Sequence, residues 1–314
     1  MSTPIIILCP GQGAQHIGMG KEWFEKFPTA RKLFDAADVA LGFELSRVCF
    51  EGPEESLNGT DIAQAAIYTT SVACYQVLKE QGTIDPAAVI ATAGLSLGEF
   101  TALHLAGAFD FLTGLKLVRL RGQAMQEAAL ASPSGMVALV GADEAQALAL
   151  CEEALNDPEN KGNEVLVPAN FNCPGQVVIS GSLAACERAQ VVASRTGLRA
   201  TALAVAGAFH SPLMQPAADK LAAALAEADW NTPTVPVISN VTALPHDSAD
   251  IDSIKARLVE QLTQPVRWSD SMLWAAANLG TDKRYLELAP GKVLSGLMRR
   301  IDRAIKVENH AQPQ

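Results

Sequence analysis

The residues with the clearest capacity for chemistry lie in the segment Gly94-Leu95-Ser96-Leu97-Gly98. It follows an apolar run over residues 87–91 that is typical of a buried strand, and it precedes a helical pattern over residues 99–108. A serine between glycines at a strand-to-helix turn has the layout of a nucleophile elbow, in which the hydroxyl is exposed above a sheet. The glycines leave room for a turn that a Cβ would block. We predict Ser96 as a nucleophile, with a Gly-rich turn of no chemical role as the alternative.

The helix that follows Ser96 can also supply hydrogen-bond donors. The first N–H groups of a helix have no intrahelical acceptor and lie at the positive end of the helix dipole. The backbone N–H of Leu97 is therefore a candidate for half of an oxyanion hole.

A serine nucleophile needs a base, and the chain contains five histidines, namely His16, His104, His210, His246 and His310. We expect residues 310–314 to form a frayed tail and His246 to lie in a polar loop. Of the other three, one is in a Gly-rich loop after the first strand and one points away from Ser96 on the elbow helix. His210 lies where the chain re-enters its large domain, and a crossing between domains is a natural cleft. We predict His210 as the general base, with a structural histidine as the alternative.

A third group should orient the imidazole of the base. Asp110, Asp143 and Asp157 lie between Ser96 and His210 in the chain, but none of them follows a clear core strand. A backbone carbonyl is the alternative, because it can hold Nδ1–H without a buried charge.

Arg121 interrupts the apolar stripe of a helix predicted over residues 113–131. It shares one face with Leu117 and Ala124, whereas Arg119 lies on the polar face. A buried guanidinium needs a partner, since an uncompensated buried charge costs several kcal/mol. Two partners remain open: a protein carboxylate, or a substrate carboxylate held by two hydrogen bonds.

A Gly-rich segment, residues 11–15, follows a strand predicted over residues 4–9. It lacks the Lys-Ser/Thr of a P-loop and the full spacing of a dinucleotide-binding loop, which argues against nucleotide binding. A donor from this loop into the active site is the better interpretation.

Strand and helix patterns alternate along most of the chain, which favours an α/β fold with a parallel sheet. Between residues 133 and 205 the predicted order becomes βαββαβ, the ferredoxin-like order. We predict an α/β-hydrolase-like large catalytic domain (residues 1–132 and 206–314) with an inserted ferredoxin-like small domain (residues 133–205).

Composition excludes several classes of function. A formal net charge of −10 over 314 residues argues against nonspecific nucleic-acid binding. We also expect no membrane-spanning segment, because the longest uncharged stretches contain polar residues. The six cysteines are scattered, so we expect no metal site and no disulfide scaffold. Reduced core thiols and an N-terminus without a basic signal region predict a cytoplasmic protein.

Taken together, these residues resemble the malonyl-CoA:acyl carrier protein transacylases, the discrete acyltransferases of fatty acid synthesis. The resemblance covers nearly the whole chain. The segments that carry it are Pro10-Gly11-Gln12-Gly13-Ala14-Gln15, Gly94-Leu95-Ser96-Leu97-Gly98-Glu99-Phe100, Arg121-Gly122-Gln123-Ala124-Met125-Gln126, Asn170-Phe171-Asn172-Cys173-Pro174-Gly175-Gln176, Phe209-His210-Ser211-Pro212-Leu213-Met214, Gln261-Leu262-Thr263-Gln264-Pro265-Val266-Arg267-Trp268 and Pro290-Gly291-Lys292-Val293-Leu294.

The resemblance implies that Ser96 is malonylated by malonyl-CoA with His210 as general base. It implies that Gln12 and the N–H of Leu97 form the oxyanion hole, and that Arg121 pairs with the free malonyl carboxylate. It further implies that the malonyl group passes to the phosphopantetheine thiol of an acyl carrier protein, and that the enzyme itself needs no metal or cofactor.

Further expectations come from the same resemblance. The main-chain carbonyl of Gln261 is expected to orient the base, and Gln64 to line the site. Phe209 beside the base is expected to crowd an α-methyl group and disfavour methylmalonyl. Leu95 stands where the family usually has a histidine, so a hydrogen bond of the usual site is absent. A polyketide synthase acyltransferase, a serine hydrolase and a non-catalytic carrier-binding module remain alternatives.

An acidic carrier protein would need a local basic patch on this acidic chain. Two candidate patches are Arg299, Arg300, Arg303 and Lys306 near the C-terminus, and Lys116 with Arg119 on the Arg121 helix. Solvated helix faces are the alternative interpretation of both.

Overall fold

A computed structural model describes residues 3–156 and 162–313. The β-strands of these ranges are β1 (Ile5–Cys9), β2 (Val89–Gly94), β3 (Ser134–Val140), β4 (Leu166–Cys173), β5 (Gln176–Ser182), β6 (Arg199–Ala202), β7 (Val237–Ile238), β8 (Arg284–Leu288) and β9 (Val307–His310). The α-helices are α1 (Lys21–Lys26), α2 (Pro28–Leu41), α3 (Leu45–Glu51), α4 (Glu54–Asn58), α5 (Thr60–Glu80), α6 (Gly98–Leu105), α7 (Phe111–Ala131), α8 (Glu144–Leu155), α9 (Leu183–Arg195), α10 (Gln215–Glu227), α11 (Ile251–Glu260), α12 (Trp268–Leu279) and α13 (Val293–Ile301).

Five strands form a parallel sheet in the order β7-β2-β1-β8-β9. Every residue of β1 is buried, as expected for a parallel strand covered on both faces. The last residues of β1 and β2, Cys9 and Gly94, are register partners. The Gly-rich loop after β1 and the elbow after β2 therefore start side by side at the carboxyl edge of the sheet.

The long helices α5 and α7 pack closely on each other. Gly122 makes this approach possible, because a Cβ at that position would lie 2.7 Å from the backbone oxygen of Thr60. The contact brings Arg121 of α7 next to Gln64 of α5. It thereby places a charged side chain in the interior of the molecule.

Four strands form a second, antiparallel sheet in the order β4-β5-β3-β6. With α8 and α9 this is the βαββαβ arrangement predicted for the insertion. Strand β4 is joined to the rest of the molecule by hydrogen bonds between the backbones of Phe171 and Val266 and of Val266 and Ala169. The α/β fold class with a ferredoxin-like unit is confirmed, whereas the domain limits at 132/133 and 205/206 stay predictions.

The predicted frayed tail is wrong at His310. This residue ends β9, where it pairs with Leu288, and it is buried. Its carbonyl accepts a hydrogen bond from the Cys74 thiol, and the next carbonyl, of Ala311, accepts one from Trp23. The polar residues of β9 do not have the apolar alternation of a strand, so its pairing with β8 could not be predicted from them.

Some secondary-structure elements differ in the structure from the elements that the sequence predicts. Residues 86–88 form a 3-10 turn, so β2 starts at Val89 and runs on into the elbow. Strand β7 is only two residues long. The helices between Lys21 and Asn58 were not assigned from the sequence.

Candidate active site

The elbow is built by two glycines that cannot be replaced without a backbone clash. A Cβ on Gly94 would lie 1.9 Å from the carbonyl carbon of Gly98, and one on Gly98 would lie 2.1 Å from the oxygen of Cys9. Between them Ser96 has a φ of 53°, in the left-handed region. A non-glycine residue held there is strained, and such strain clusters at functional sites. The turn holds the Ser96 hydroxyl at the start of α6.

His210 is within hydrogen-bonding distance of this hydroxyl. Its Nε2 is 2.8 Å from Ser96 Oγ, and its Nδ1 is 2.6 Å from the main-chain oxygen of Gln261. A carbonyl accepts only, so Nδ1 carries the proton and Nε2 is free to accept one from the serine. His210 is itself strained, with a φ of 57°.

Burial, joined by the positive charge of Arg121, lowers the pKa of His210 from 6.5 to about 4, and the hydrogen bond to Gln261 opposes this shift. The imidazole is therefore neutral at physiological pH. A neutral imidazole is the form that can remove a proton.

None of the aspartates considered as orienting groups holds His210 in the described ranges. Asp110 accepts from the N–H of Thr113 and caps α7, and Asp143 accepts from that of Gln146 and caps α8. Asp157 lies outside the described residues. The backbone-carbonyl alternative is the one found, since the carbonyl of Gln261 contacts the ring.

Arg121 is 1% exposed and points at the nucleophile. Its Nη1 donates to Gln64 Oε1 at 2.7 Å, and its Nη2 donates to Gln261 Oε1 at 2.8 Å and to Ser96 Oγ at 3.1 Å. Its Nε has no hydrogen-bond partner among the described residues. Burial lowers the pKa of Arg121 to about 10, and the negative charge of Glu99 opposes the shift.

These contacts separate the two partners left open for Arg121. Its hydrogen-bond acceptors in the described part of the chain are two amide oxygens and a hydroxyl, all of them neutral. The face of Phe100 lies 5.6 Å from the guanidinium carbon. A buried cation with neutral acceptors beside a nucleophile can take a carboxylate from a bound substrate.

The serine and the histidine open into a cavity of about 420 Å³. Around the parallel sheet it is lined by Gln12, Leu95, Ser96, Phe209, His210, Val293 and Leu297. From the antiparallel sheet and the segment that follows it, the lining residues are Met136, Asn170, Asn172, Gln176, Val178 and Leu203. The amide of Gln12 is 3.4 Å from Thr60 Oγ1. The N–H of Leu97, at the N-terminal end of α6, has no acceptor within the helix.

Three further residues support the elbow, and sequence reasoning assigned no role to any of them. Asn240 accepts from the N–H of Ser96 at 2.6 Å and donates to the carbonyl of Gly94 at 2.7 Å. Glu99 accepts from the backbone of Asn240 and from the side chain of Gln261. The third residue is His246, whose ring contacts Glu99. For Glu99, the only feature of the sequence that could have indicated a role was its position in the elbow segment.

The remaining histidines do not reach the nucleophile. His104 bonds the carbonyl of Phe109, as expected for a side chain that points away, and His16 lies near the carbonyl of Ala14. The loop position predicted for His246 is correct for the backbone, but its side chain is buried against Glu99. A polar loop sequence did not predict that inward contact.

The Arg119 side chain is only partly exposed, although its place on the polar face of the helix predicts that it is solvated. It forms an ion pair with Asp61 at 2.7 Å and lies over the ring of Phe43. It is therefore a poor candidate for a docking patch. Arg299 and Arg300 are exposed at the end of α13, the helix that lines the cavity with Val293 and Leu297.

Residues 3–156 and 162–313 contain neither a group of three or more side chains placed to hold a metal ion nor a helix long and apolar enough to cross a membrane.

Residues 6–306 match the family model described as the acyl transferase domain. The chain belongs to this family. It is 45% identical to the malonyl CoA-acyl carrier protein transacylase of Bacillus subtilis, over 99% of this chain and 95% of that protein. Among solved structures, the malonyl-CoA:acyl carrier protein transacylase of Xanthomonas oryzae has a TM-score of 0.91 at 41% identity, with 100% and 96% of the two chains covered.

A second similar structure was solved with a partner. It contains a malonyl-transacylase with its type II polyketide synthase acyl carrier protein. Its TM-score to this acyl transferase is 0.92 at 36% identity, and 99% of this chain and 97% of that one are covered.

Proposed function

We propose that this acyl transferase moves the malonyl group of malonyl-CoA to the phosphopantetheine thiol of an acyl carrier protein, through a malonyl-Ser96 ester, in fatty acid biosynthesis. The observation that carries the proposal is Arg121, a buried cation with neutral acceptors, 3.1 Å from the serine oxygen. A malonyl thioester brings the carboxylate that such a cation needs. The names of the relatives agree with this substrate.

In the first half-reaction Ser96 Oγ attacks the thioester carbon while His210 Nε2 takes the hydroxyl proton. The N–H of Leu97 and the amide of Gln12 stabilise the resulting oxyanion. The C–S bond then breaks, and the proton on His210 passes to the sulfur, so coenzyme A leaves as its thiol.

In the second half-reaction the carrier thiol occupies the position that coenzyme A has left. His210 removes the thiol proton, the sulfur attacks the ester carbon of malonyl-Ser96, and the C–O bond breaks. The proton returns to Ser96 Oγ. Both steps are acyl transfers without oxidation or reduction, so the proposal includes no metal and no redox cofactor.

Selectivity in this scheme comes from the groups around Arg121. Gln64 and Gln261 hold the guanidinium from two sides, so its position is set before substrate binds. Phe209 lines the cavity beside His210. Its ring leaves little room for an α-methyl group, which would disfavour methylmalonyl.

A serine hydrolase remains the main alternative in reaction class. Water would then replace the carrier thiol as the acceptor from Ser96. The test is incubation with malonyl-CoA, with and without a phosphopantetheinylated acyl carrier protein, followed by measurement of malonyl-carrier and free malonate. We expect malonyl-carrier to be the main product, and malonate formed at the same rate with or without the carrier would contradict the proposal.

Service to a polyketide synthase is a second candidate, favoured by the complex with a polyketide carrier described above. The chemistry at Ser96 is the same in both systems. Comparison of kcat/KM for carriers of the two kinds distinguishes them, and we expect the fatty acid carrier to be preferred.

We place this activity in the cytoplasm. The six cysteines are all free and buried, which agrees with a reducing compartment.

A further inference from the structure

A buried contact between a carboxylate and an imidazole lies behind the site and is not used by the mechanism above. It joins Glu99, in the first turn of α6, to His246, in the loop after β7. Glu99 Oε1 and His246 Nε2 are 2.7 Å apart, and the two side chains are 0% and 3% exposed. A buried carboxylate costs free energy unless its oxygens are hydrogen-bonded and its charge is compensated. The contacts of Glu99 therefore indicate what the pair holds in place.

The other carboxylate oxygen of Glu99 reaches the residues that hold the site together. Glu99 Oε2 accepts from Gln261 Nε2 at 2.6 Å and from the backbone N–H of Asn240 at 3.1 Å. Asn240 in turn holds the elbow through the N–H of Ser96 and the carbonyl of Gly94. A single carboxylate is thus connected to the turn that carries the nucleophile.

Gln261 has to present a particular end of its amide to each neighbour. Its Oε1 accepts from Arg121, and its Nε2 donates to Glu99 at 2.6 Å and to the main-chain oxygen of Ser96 at 3.0 Å. A guanidinium only donates and a carboxylate only accepts, so with both in place the amide has one satisfied orientation. Without the carboxylate, only the Ser96 carbonyl and the more distant side-chain oxygen of Asn240 hold the amide nitrogen. The orientation that gives Arg121 one of its three acceptors is then less strongly favoured.

The same residue also supports the base. The main-chain carbonyl of Gln261 holds Nδ1 of His210 at 2.6 Å. A shift of Gln261 therefore disturbs the proton acceptor and the carboxylate-binding cation together. The charge of Glu99 has a second effect, because it raises the pKa of Arg121 against the opposite effect of burial.

His246 completes the chain of contacts from the opposite side. Its backbone N–H donates to the carbonyl of Val237 in β7, so the imidazole is anchored to the edge of the parallel sheet. From there Nε2–H donates to Glu99 and restrains the carboxylate in the rotamer that reaches Gln261.

We propose that Glu99 and His246 form a positioning pair that sets the amide orientation of Gln261 and, through it, the placement of Arg121 and His210. The pair contacts neither the substrate nor the reacting atoms. The proposal rests on the malonyl transfer proposed above, and it adds to that function the residues that determine its selectivity.

The test compares two replacements of His246 in the full-length protein. His246→Gln keeps an N–H donor at about the distance of Nε2, whereas His246→Met fills similar space without a donor. His104→Met is the matched control, because this histidine lies on the same helix as Glu99 and its Nδ1 contacts the carbonyl of Phe109, away from Ser96. The readouts are kcat and KM for malonyl and for acetyl transfer, with melting temperature as the measure of folding.

We expect His246→Met to lower kcat for malonyl transfer about tenfold or more and to lower malonyl transfer more than acetyl transfer. His246→Gln should recover most of the rate, and His104→Met should change melting temperature without changing the malonyl-to-acetyl ratio. Glu99→Gln should lower selectivity further, since an amide can present either a donor or an acceptor to Gln261 and leaves the Ser96 carbonyl as the fixed acceptor for its Nε2.

The proposal is overturned if folded His246→Met keeps the wild-type rate and ratio, or if the Gln and Met variants lose the same amount. If Glu99→Gln does not fold, the His246 comparison decides alone. Failure of the proposed function would appear differently, as wild-type protein that transfers no malonyl group.

Discussion

At the scale of single residues, the proposed chemistry depends on a neutral imidazole and a buried guanidinium that each lie within hydrogen-bonding distance of one serine hydroxyl. Ser96→Ala should abolish the malonyl adduct while the protein stays folded, because a small hydroxyl contributes little packing. Intact mass spectrometry after incubation with malonyl-CoA measures this directly. A malonyl adduct on the variant would move the nucleophile to another residue.

His210→Ala should slow acylation about 10²–10⁴-fold, the usual effect of losing a general base. Rapid-quench measurement of malonyl-enzyme formation tests this, with His104→Ala as the control histidine away from the site. An acylation rate unchanged in His210→Ala would assign the base to another group.

The pH dependence of acylation follows from the lowered pKa of His210. Because that pKa lies at about 4, the base stays neutral and acylation stays level as pH falls from 7 to 5, and it declines only toward pH 4. Removing Arg121 removes one cause of the lowering, so Arg121→Ala should move the decline to higher pH. The acetyl adduct is the appropriate readout for that variant, and an unmoved acid limb would argue against coupling between the two residues.

At the scale of elements, the elbow requires β2, α6 and the end of β1 to approach without side chains between them. Gly94→Ala would place a Cβ 1.9 Å from the backbone of Gly98, and overpacking of this kind costs about 1–3 kcal/mol or more. We expect a lower melting temperature and a loss of adduct formation. Gly135→Ala is the matched control, since its Cβ would meet only Leu183 at 3.9 Å. Equal behaviour of the two variants would contradict this view of the turn.

The sequence predicted those parts of the site that local patterns encode. The elbow at Ser96 is one segment of chain with a strand before it and a helix after it, and Arg121 is visible as a charge on an apolar helical face. The group that orients the His210 ring could not be identified from local patterns. The lack of a suitable aspartate pointed to a backbone carbonyl, and only the resemblance to a family indicated that of Gln261. Contacts across the chain, such as Glu99 to His246 at a separation of 147 residues, leave no local periodicity from which to predict them.

Edge elements were predicted least well, for a related reason. Strand β9 contains Glu308, Asn309 and His310 and has no apolar alternation, yet backbone pairing with β8 makes it part of the sheet. Strand β7 is likewise defined by pairing, since only Val237 and Ile238 pair with β2. Pairing partners, which are not local, decided both.

At the scale of the whole molecule, the cavity lies between two sheets that belong to different parts of the chain. The helix α13, which contributes Val293 and Leu297 to the cavity, ends in exposed arginines. They are a basic patch on an acidic protein that we propose binds an acidic carrier. Reversal of charge in Arg299→Glu/Arg303→Glu should raise KM for the carrier but not for malonyl-CoA, and salt should reduce the difference. Lys32→Glu on α2, which does not line the cavity, is the control. Equal effects on both substrates would place the carrier elsewhere.

Arg119 provides the comparison for the central residue. It lies on the same helix as Arg121 but pairs with Asp61 in a partly exposed setting. Its loss should cost about 1 kcal/mol of stability or less and leave acyl selectivity unchanged.

The most direct test of the proposed function is the acyl selectivity of Arg121→Ala, measured as kcat/KM for malonyl-CoA and acetyl-CoA against wild type and Arg119→Ala. Breaking a buried charge pair costs about 3–5 kcal/mol, or about two to four decades in kcat/KM. Malonyl transfer should fall by that factor, while acetyl transfer stays level or rises, because acetyl leaves the guanidinium unpaired. If malonyl and acetyl transfer fall by the same factor, Arg121 is structural and the malonyl assignment is contradicted.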